Sequence, residues 1–357
     1  MNNLKLIVLE NIKELGEKVN SDLKLLRKEQ SNYIIDIKNN RFSNGEGKVK
    51  IEETVRDKDI YIISDVGNYD ITYNMHGFTH HMGPDEHFGD IKRTILALSG
   101  YQEKITLIMP LLYQARQHKR KGRESLDCAL ALQELERLGV NHIITFDAHD
   151  PNVSNAIPNL PFENIYPTNT ILEDLLQTED LEDILVISPD MGAMERARYY
   201  AELLDSDVGV FYKRRDLSRV VNGKNPIIEH TYMGSDVKDK DILVVDDMIA
   251  SGSSMLEVGK MLKEQGARKV YFIATFALFT EGIDGFVKAY ENYYFDKLYT
   301  TNLSYIPKEY KEKTWFHTVD CSMNIAEIIN ALHNKESLTP LLNGKEKILK
   351  LLEENKS

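Results

Sequence analysis

Ile242-Leu243-Val244-Val245-Asp246-Asp247-Met248-Ile249-Ala250-Ser251-Gly252-Ser253-Ser254 is the stretch whose reading decides the fold. Four apolar residues in a row show no polar alternation, so a strand built from them is buried on both faces. Two carboxylates follow, then small residues, and Ser254–Gln265 reads as an amphipathic helix stopped by Gly266. Strand, small-residue turn and helix form the repeating unit of a parallel α/β sheet, whose ligands lie beyond the carboxyl ends of the strands. At such a turn Ser and Gly let backbone N–H groups approach a phosphate, and the helix N-terminus adds partial positive charge. Adjacent carboxylates can accept hydrogen bonds from vicinal hydroxyls. A phosphorylated sugar suits this chemistry.

The same pattern recurs on both sides. Asp183–Pro189, Val208–Tyr212 and Lys269–Ala274 read as further strands of this half, with Met194–Leu204 as a helix between them. In the first half Asp59–Ser64, Ile105–Pro110 and His142–Asp147 are strand-like, and Ser125–Leu138 carries leucines at helical spacing before Gly139. The expected architecture is α/β, with two tandem domains, each a mostly parallel sheet flanked by helices. The expected boundaries are 1–165, with an insertion at about 67–89, then 166–320, and a C-terminal helical segment at 321–357.

The chain has 357 residues, 44 basic and 56 acidic, for a formal net charge of −12. That balance argues against a nucleic-acid binder, which needs cations to meet phosphates. No apolar run approaches the roughly 20 residues of a membrane helix. Leu6–Leu9 is too short for a signal-peptide core, and the two cysteines, Cys128 and Cys321, cannot make a disulfide framework. A cytoplasmic protein with no membrane partner is expected. Residues 67–89 hold His76, His80, His81 and His87 among glycines, in no standard metal spacing, and read as a mobile surface loop.

Six landmarks in order resemble the ribose-phosphate diphosphokinase (phosphoribosyl-diphosphate synthase) family, which has the type I phosphoribosyltransferase fold. They are Arg41-Phe42-Ser43-Asn44-Gly45-Glu46 with Ile51–Arg56, Ala115-Arg116-Gln117-His118-Lys119, Asp147-Ala148-His149, Ser188-Pro189-Asp190-Met191-Gly192, Lys213-Arg214-Arg215 and the loop quoted above. The resemblance spans about Arg41 to Leu342 and implies transfer of the β,γ-diphosphoryl group of ATP to C1 of ribose 5-phosphate, releasing AMP. It further implies Mg²⁺ as cofactor and a homo-oligomer built from dimers, often a hexamer.

The resemblance also distributes roles. Lys213 and Arg215 would stabilise the transition state from a mobile flap, and Phe42, Asn44, Glu46, Arg116 and Gln117 would bind ATP. Asp246, Asp247, Ser251, Gly252, Ser253 and Ser254 would bind ribose 5-phosphate, with His149 and Asp190 holding the metal. Diphosphoryl transfer needs positioning and charge stabilisation, which these residue types supply. Ala250 stands where the family has an aspartate, and His118 likewise replaces an aspartate. Two rivals follow: a phosphoribosyltransferase, and a weakly catalytic regulatory paralogue of the synthase.

Overall fold

The structure, a computed structural model, describes residues 3–215 and 227–355, with side chains described at all of these except 213–215, 227–230 and 355. The chain forms two compact units. One runs to Pro167 and includes Asn302–Tyr305 and Asp320–Leu342; the other comprises Thr168–Thr301, Ile306–Val319 and the chain from Asn343.

The first unit carries β1 (Leu4–Val8), α1 (Lys13–Arg27), β2 (Ile37–Arg41), β3 (Gly47–Ile51), β4 (Asp59–Ile63), β5 (Thr72–Met75) and β6 (Phe78–His81). After these come α2 (Pro84–Leu98), β7 (Lys104–Ile108), α3 (Asp127–Arg137), β8 (His142–Phe146) and β9 (Phe162–Ile165). Five strands make a sheet in the order β1-β4-β7-β8-β9, parallel throughout. Every residue of β4 and β8 is buried, as continuous apolar runs in a covered sheet require. The carboxyl ends of β4, β7 and β8 lie on one edge of this sheet, and the loops that follow them carry Asp65, Arg116 and His149.

The second unit contains α4 (Thr168–Thr178), β10 (Ile184–Ser188), α5 (Met194–Leu204), β11 (Asp207–Arg215), β12 (Ile227–Met233) and β13 (Asp241–Ile249). It continues with α6 (Ser253–Glu264), β14 (Lys269–Ala277), α7 (Asp284–Glu291), β15 (Lys297–Thr301), α8 (Lys308–Lys311) and β16 (Phe316–Val319). Its seven strands are ordered β12-β11-β10-β13-β14-β15-β16, and only β12, at the edge, is antiparallel to its neighbour.

Three helices close the chain: α9 (Ser322–His333), α10 (Thr339–Leu342) and α11 (Lys345–Asn355). They are not one appendage. In the first unit α9 lies along α1, with Arg27 donating to Asn330 at 3.1 Å and Lys18 to Asp320 at 2.9 Å. In the second, α11 packs on α4, buries Ile348 completely and sets Lys347 on Glu173 at 2.6 Å. Each helix has an apolar stripe, but helical periodicity does not say which core the stripe covers.

The expectation of a mobile loop at 67–89 is corrected. Residues Thr72–His81 form an antiparallel hairpin turned by His76 and Gly77, both at positive φ, and α2 begins at Pro84. Three of the four histidines have separate contacts: His80 with Glu86 at 2.8 Å, His81 with the Tyr69 carbonyl at 2.9 Å, and buried His87 with the Asn68 carbonyl at 2.6 Å. Among the described residues no group of three or more His, Cys, Asp or Glu could hold a metal, and no helix is long and apolar enough to cross a membrane.

Just past β4, Asp65 is fully buried and accepts hydrogen bonds from the Gly67 N–H at 2.7 Å and from the Ser304 hydroxyl and Tyr305 N–H at 2.9 Å each. Burial outweighs these bonds and pushes its pKa from 3.8 up to about 6. A carboxyl raised on folding holds its proton more tightly in the folded state. Its stabilising contribution is therefore complete below the unfolded pKa and lost as pH rises through about 6. Relative to Asp65→Asn, which cannot titrate, the wild type is expected to lose about 2 kcal/mol of unfolding free energy between pH 4 and 7. Urea titrations of both proteins across that range measure it, and parallel stability curves would refute the assignment.

Candidate active site

The second unit gathers its site residues at the carboxyl ends of β10 and β13, neighbours in the sheet. β13 runs four residues beyond its apolar run Ile242–Val245, through Ile249, with Asp246 facing Ala274 and Met248 facing Phe276 on β14. Asp246 and Asp247 therefore lie inside the strand and not in the loop. Asp246 Oδ1 accepts the Asp247 N–H at 2.9 Å, and Asp247 Oδ1 accepts the Met248 N–H at 2.9 Å. Burial, and then the adjacent Asp247 carboxylate, raise the Asp246 pKa well above the usual range; Arg196, 3.9 Å away, opposes this. Two carboxylates so placed favour hydrogen-bond donors such as sugar hydroxyls. Arg196, in the first turn of α5, was absent from the sequence reading because nothing in its local pattern sets it apart from an ordinary helix arginine.

After Ile249 the chain turns at Gly252, whose φ of +73° is left-handed, and α6 starts at Ser253. The helix has no side-chain cap: Ser251 Oγ lies 3.2 Å from Ser253 Oγ and 3.5 Å from its N–H. A 12-residue helix whose N-cap is a glycine, with the Ser253 N–H reaching Ser251 Oγ only at 3.5 Å, offers first-turn donors and a positive dipole end to a phosphate. Gly252 is also held sterically. A Cβ there would run into the Phe286 ring, which is buried against Phe279 and Trp315.

Asp190 follows β10. Its Oδ1 accepts the Gly192 N–H at 2.8 Å and the Ala193 N–H at 3.3 Å, while Oδ2 has no hydrogen bond among the described residues. β11 pairs with β10 only as far as Val210 and then runs on beside β12 through Lys213 and Arg215, so these residues lie in the strand and do not follow it. Their side chains, and the flap expected at Asp216–Asn225, lie outside the described residues.

In the first unit Arg116 and Gln117 are exposed on the turn that follows β7, where the Gln117 carbonyl accepts the Cys128 N–H at the head of α3 at 3.4 Å. His149, after β8, is exposed, with its ring 5.4 Å from that of His118, edge on. His118 is itself held between the Ala115 carbonyl at 3.0 Å and Asp150 at 3.2 Å. Asp150, not His149, caps the short helix beginning at Pro151, by accepting the Asn152 N–H at 3.0 Å. Asp190, in the second unit, keeps one carboxylate oxygen uncommitted, the kind of donor a hard cation takes beside its waters.

Phe42, Asn44 and Glu46 occupy the tip of the β2–β3 hairpin. Asn44 donates to Glu46 at 3.0 Å and accepts its N–H at 3.2 Å, while the Phe42 ring is 51% exposed and available for stacking.

Two family models divide the chain between them. The N-terminal domain of ribose phosphate pyrophosphokinase matches residues 4–139, and the phosphoribosyl transferase domain matches 164–297. The chain belongs to the ribose-phosphate pyrophosphokinase family. Relatives named ribose-phosphate pyrophosphokinase include one from Vibrio parahaemolyticus, 29% identical over 310 residues that cover 85% of this chain and 90% of that one. Ribose-phosphate pyrophosphokinase A of Dictyostelium discoideum is 29% identical over 84% of this family member and 88% of its own length. In fold the chain is similar to phosphoribosylpyrophosphate synthetase from Mycobacterium smegmatis, with a TM-score of 0.76 at 23% identity over 93% of this chain and 99% of that one.

Proposed function

We propose that this chain is a ribose-phosphate diphosphokinase, moving the β,γ-diphosphoryl group of ATP to the C1 hydroxyl of D-ribose 5-phosphate to give 5-phospho-α-D-ribose 1-diphosphate and AMP. The observation that carries the reading is the uncapped α6 N-terminus behind the Asp246–Asp247 pair, in a chain that also has the family's N-terminal domain. A phosphoribosyltransferase would need only the domain matched at 164–297.

Ser251, Gly252, Ser253 and Ser254 take the 5-phosphate on hydroxyls and backbone N–H groups, and Asp246 and Asp247 orient the ring hydroxyls. Phe42 stacks on the base while Asn44 and Glu46 read its edge, and Arg116 and Gln117 hold the ATP phosphates. Lys213 and Arg215 meet the charge that develops on the migrating group. His149 and Asp190 would hold Mg²⁺, which when bound neutralises phosphate charge. The protein acts in the cytoplasm as a homo-oligomer built from dimers.

The test is coupled detection of AMP and phosphoribosyl diphosphate from ATP, Mg²⁺ and ribose 5-phosphate with the purified chain alone. Both products are expected. Their absence from well-folded protein would leave the regulatory paralogue, and base-dependent release of diphosphate would support the transferase.

A further inference from the structure

We propose that the β5–β6 hairpin is a positioning element for the nucleotide base, acting through the Phe42–Glu46 turn; this rests on the reading of that turn as the base-binding loop. Strand alternation places Tyr73, Met75, Phe78 and His80 on one face of the hairpin and Thr72, Asn74, Thr79 and His81 on the other. The second set is exposed, whereas Tyr73, Met75 and His80 are partly buried. They are covered from the β2–β3 side. The Arg41 guanidinium lies over the Tyr73 ring at 5.5 Å, and a Cβ on Gly45 would stand 2.9 Å from Met75 Sδ. At the hairpin's own turn the His76 N–H donates to the Ser43 carbonyl at 2.9 Å. Three contacts of different kinds therefore reach Arg41, Ser43 and Gly45, the residues that bracket and interleave Phe42, Asn44 and Glu46.

The other end of the prop is fixed as well. The His80 ring packs edge-on against Tyr73 at 5.1 Å and bonds Glu86, whose second oxygen accepts the Gly83 N–H at 2.7 Å where α2 begins. Arg41, over the Tyr73 ring, is itself anchored to Asp90 of α2 at 2.8 Å. The hairpin thus connects the helix to the turn. A two-stranded ribbon such as β2–β3 is marginally stable alone. Fixing that tip in advance removes ordering entropy from nucleotide binding and gives the base edge a fixed set of partners, so it affects affinity and base selectivity more than turnover.

The experiment compares Tyr73→Leu combined with Met75→Ala, Tyr73→Phe alone, and Phe42→Ala. Readouts are KM for ATP, KM for GTP, KM for ribose 5-phosphate, and kcat. The double variant is expected to raise KM for ATP about tenfold and narrow the preference for ATP over GTP, with kcat and KM for ribose 5-phosphate unchanged. Tyr73→Phe, which keeps the ring under Arg41, is expected to behave as wild type. The unchanged ribose-5-phosphate KM is the internal control for folding. If Phe42→Ala raises KM for ATP and the double variant does not, the hairpin has no positioning role. If Phe42→Ala leaves KM for ATP unchanged, the base-binding reading of the turn falls and the proposal falls with it.

Discussion

Gly252→Ala is expected to destabilise the second unit by about 4 kcal/mol and to raise KM for ribose 5-phosphate more than tenfold. Two costs add. At φ +73° a Cβ crowds the following carbonyl, a penalty on the order of 1–2 kcal/mol. The new methyl also meets the Phe286 ring, which is 1% exposed and cannot swing aside because Phe279, Phe295 and Trp315 surround it. Overpacking of that kind costs roughly 1–3 kcal/mol. Either relaxation, a shifted aromatic cluster or a moved loop, displaces the first N–H groups of α6 from the phosphate. Urea unfolding measures the first effect and initial-rate kinetics the second. A variant with wild-type stability and wild-type KM would show that the loop does not hold the sugar phosphate.

Lys213→Ala is expected to lower kcat by about 10²–10³ while leaving ribose-5-phosphate affinity near the wild-type value. The sugar is assigned to the carboxyl end of β13, the turn after it and the start of α6, so removing a cation carried on β11 leaves the sugar's contacts in place. A charge that acts on the migrating diphosphoryl group is felt in the transition state and little in the ground state, which places its loss in kcat. Arg215→Ala is expected to act in the same direction. A large loss of ribose-5-phosphate affinity with unchanged kcat would refute the role, as isothermal titration alongside steady-state rates would reveal.

The fold was legible wherever apolar runs are continuous. β4, β8, β10 and β13 were each found within a residue or two at their N-terminal ends, because strands buried on both faces leave no polar position to blur the pattern. The carboxyl ends of β11, β13 and β14 were read short. β13 extends through Asp246 and Asp247 because β14 supplies ladder partners as far as Ala277, and a ladder is a property of two strands. The histidine-rich segment was misread for a related reason. Its alternation is real, but its inner face meets polar partners, Arg41 of β2 and Glu86 of α2, so no apolar signal marks it as a strand.

The candidate site divides in the same way. Asp190, His149, Ser251 and Gly252 lie on loops at strand ends, and Ser253 and Ser254 open α6; the small-residue turn was read from backbone chemistry, whereas His149 and Asp190 were singled out by the resemblance. Arg196 beside Asp246, His118 between Ala115 and Asp150, and the hairpin under Arg41 depend on residues tens of positions apart being brought together. The division of the C-terminal helices between two cores is of that kind too. The sequence by itself determined the strand–turn–helix units and the chemistry at their ends, because period and turn preference are local and are written residue by residue. Only the tertiary structure decided which surfaces those units cover, since burial stabilises any apolar stripe that finds a partner and does not depend on its distance along the chain.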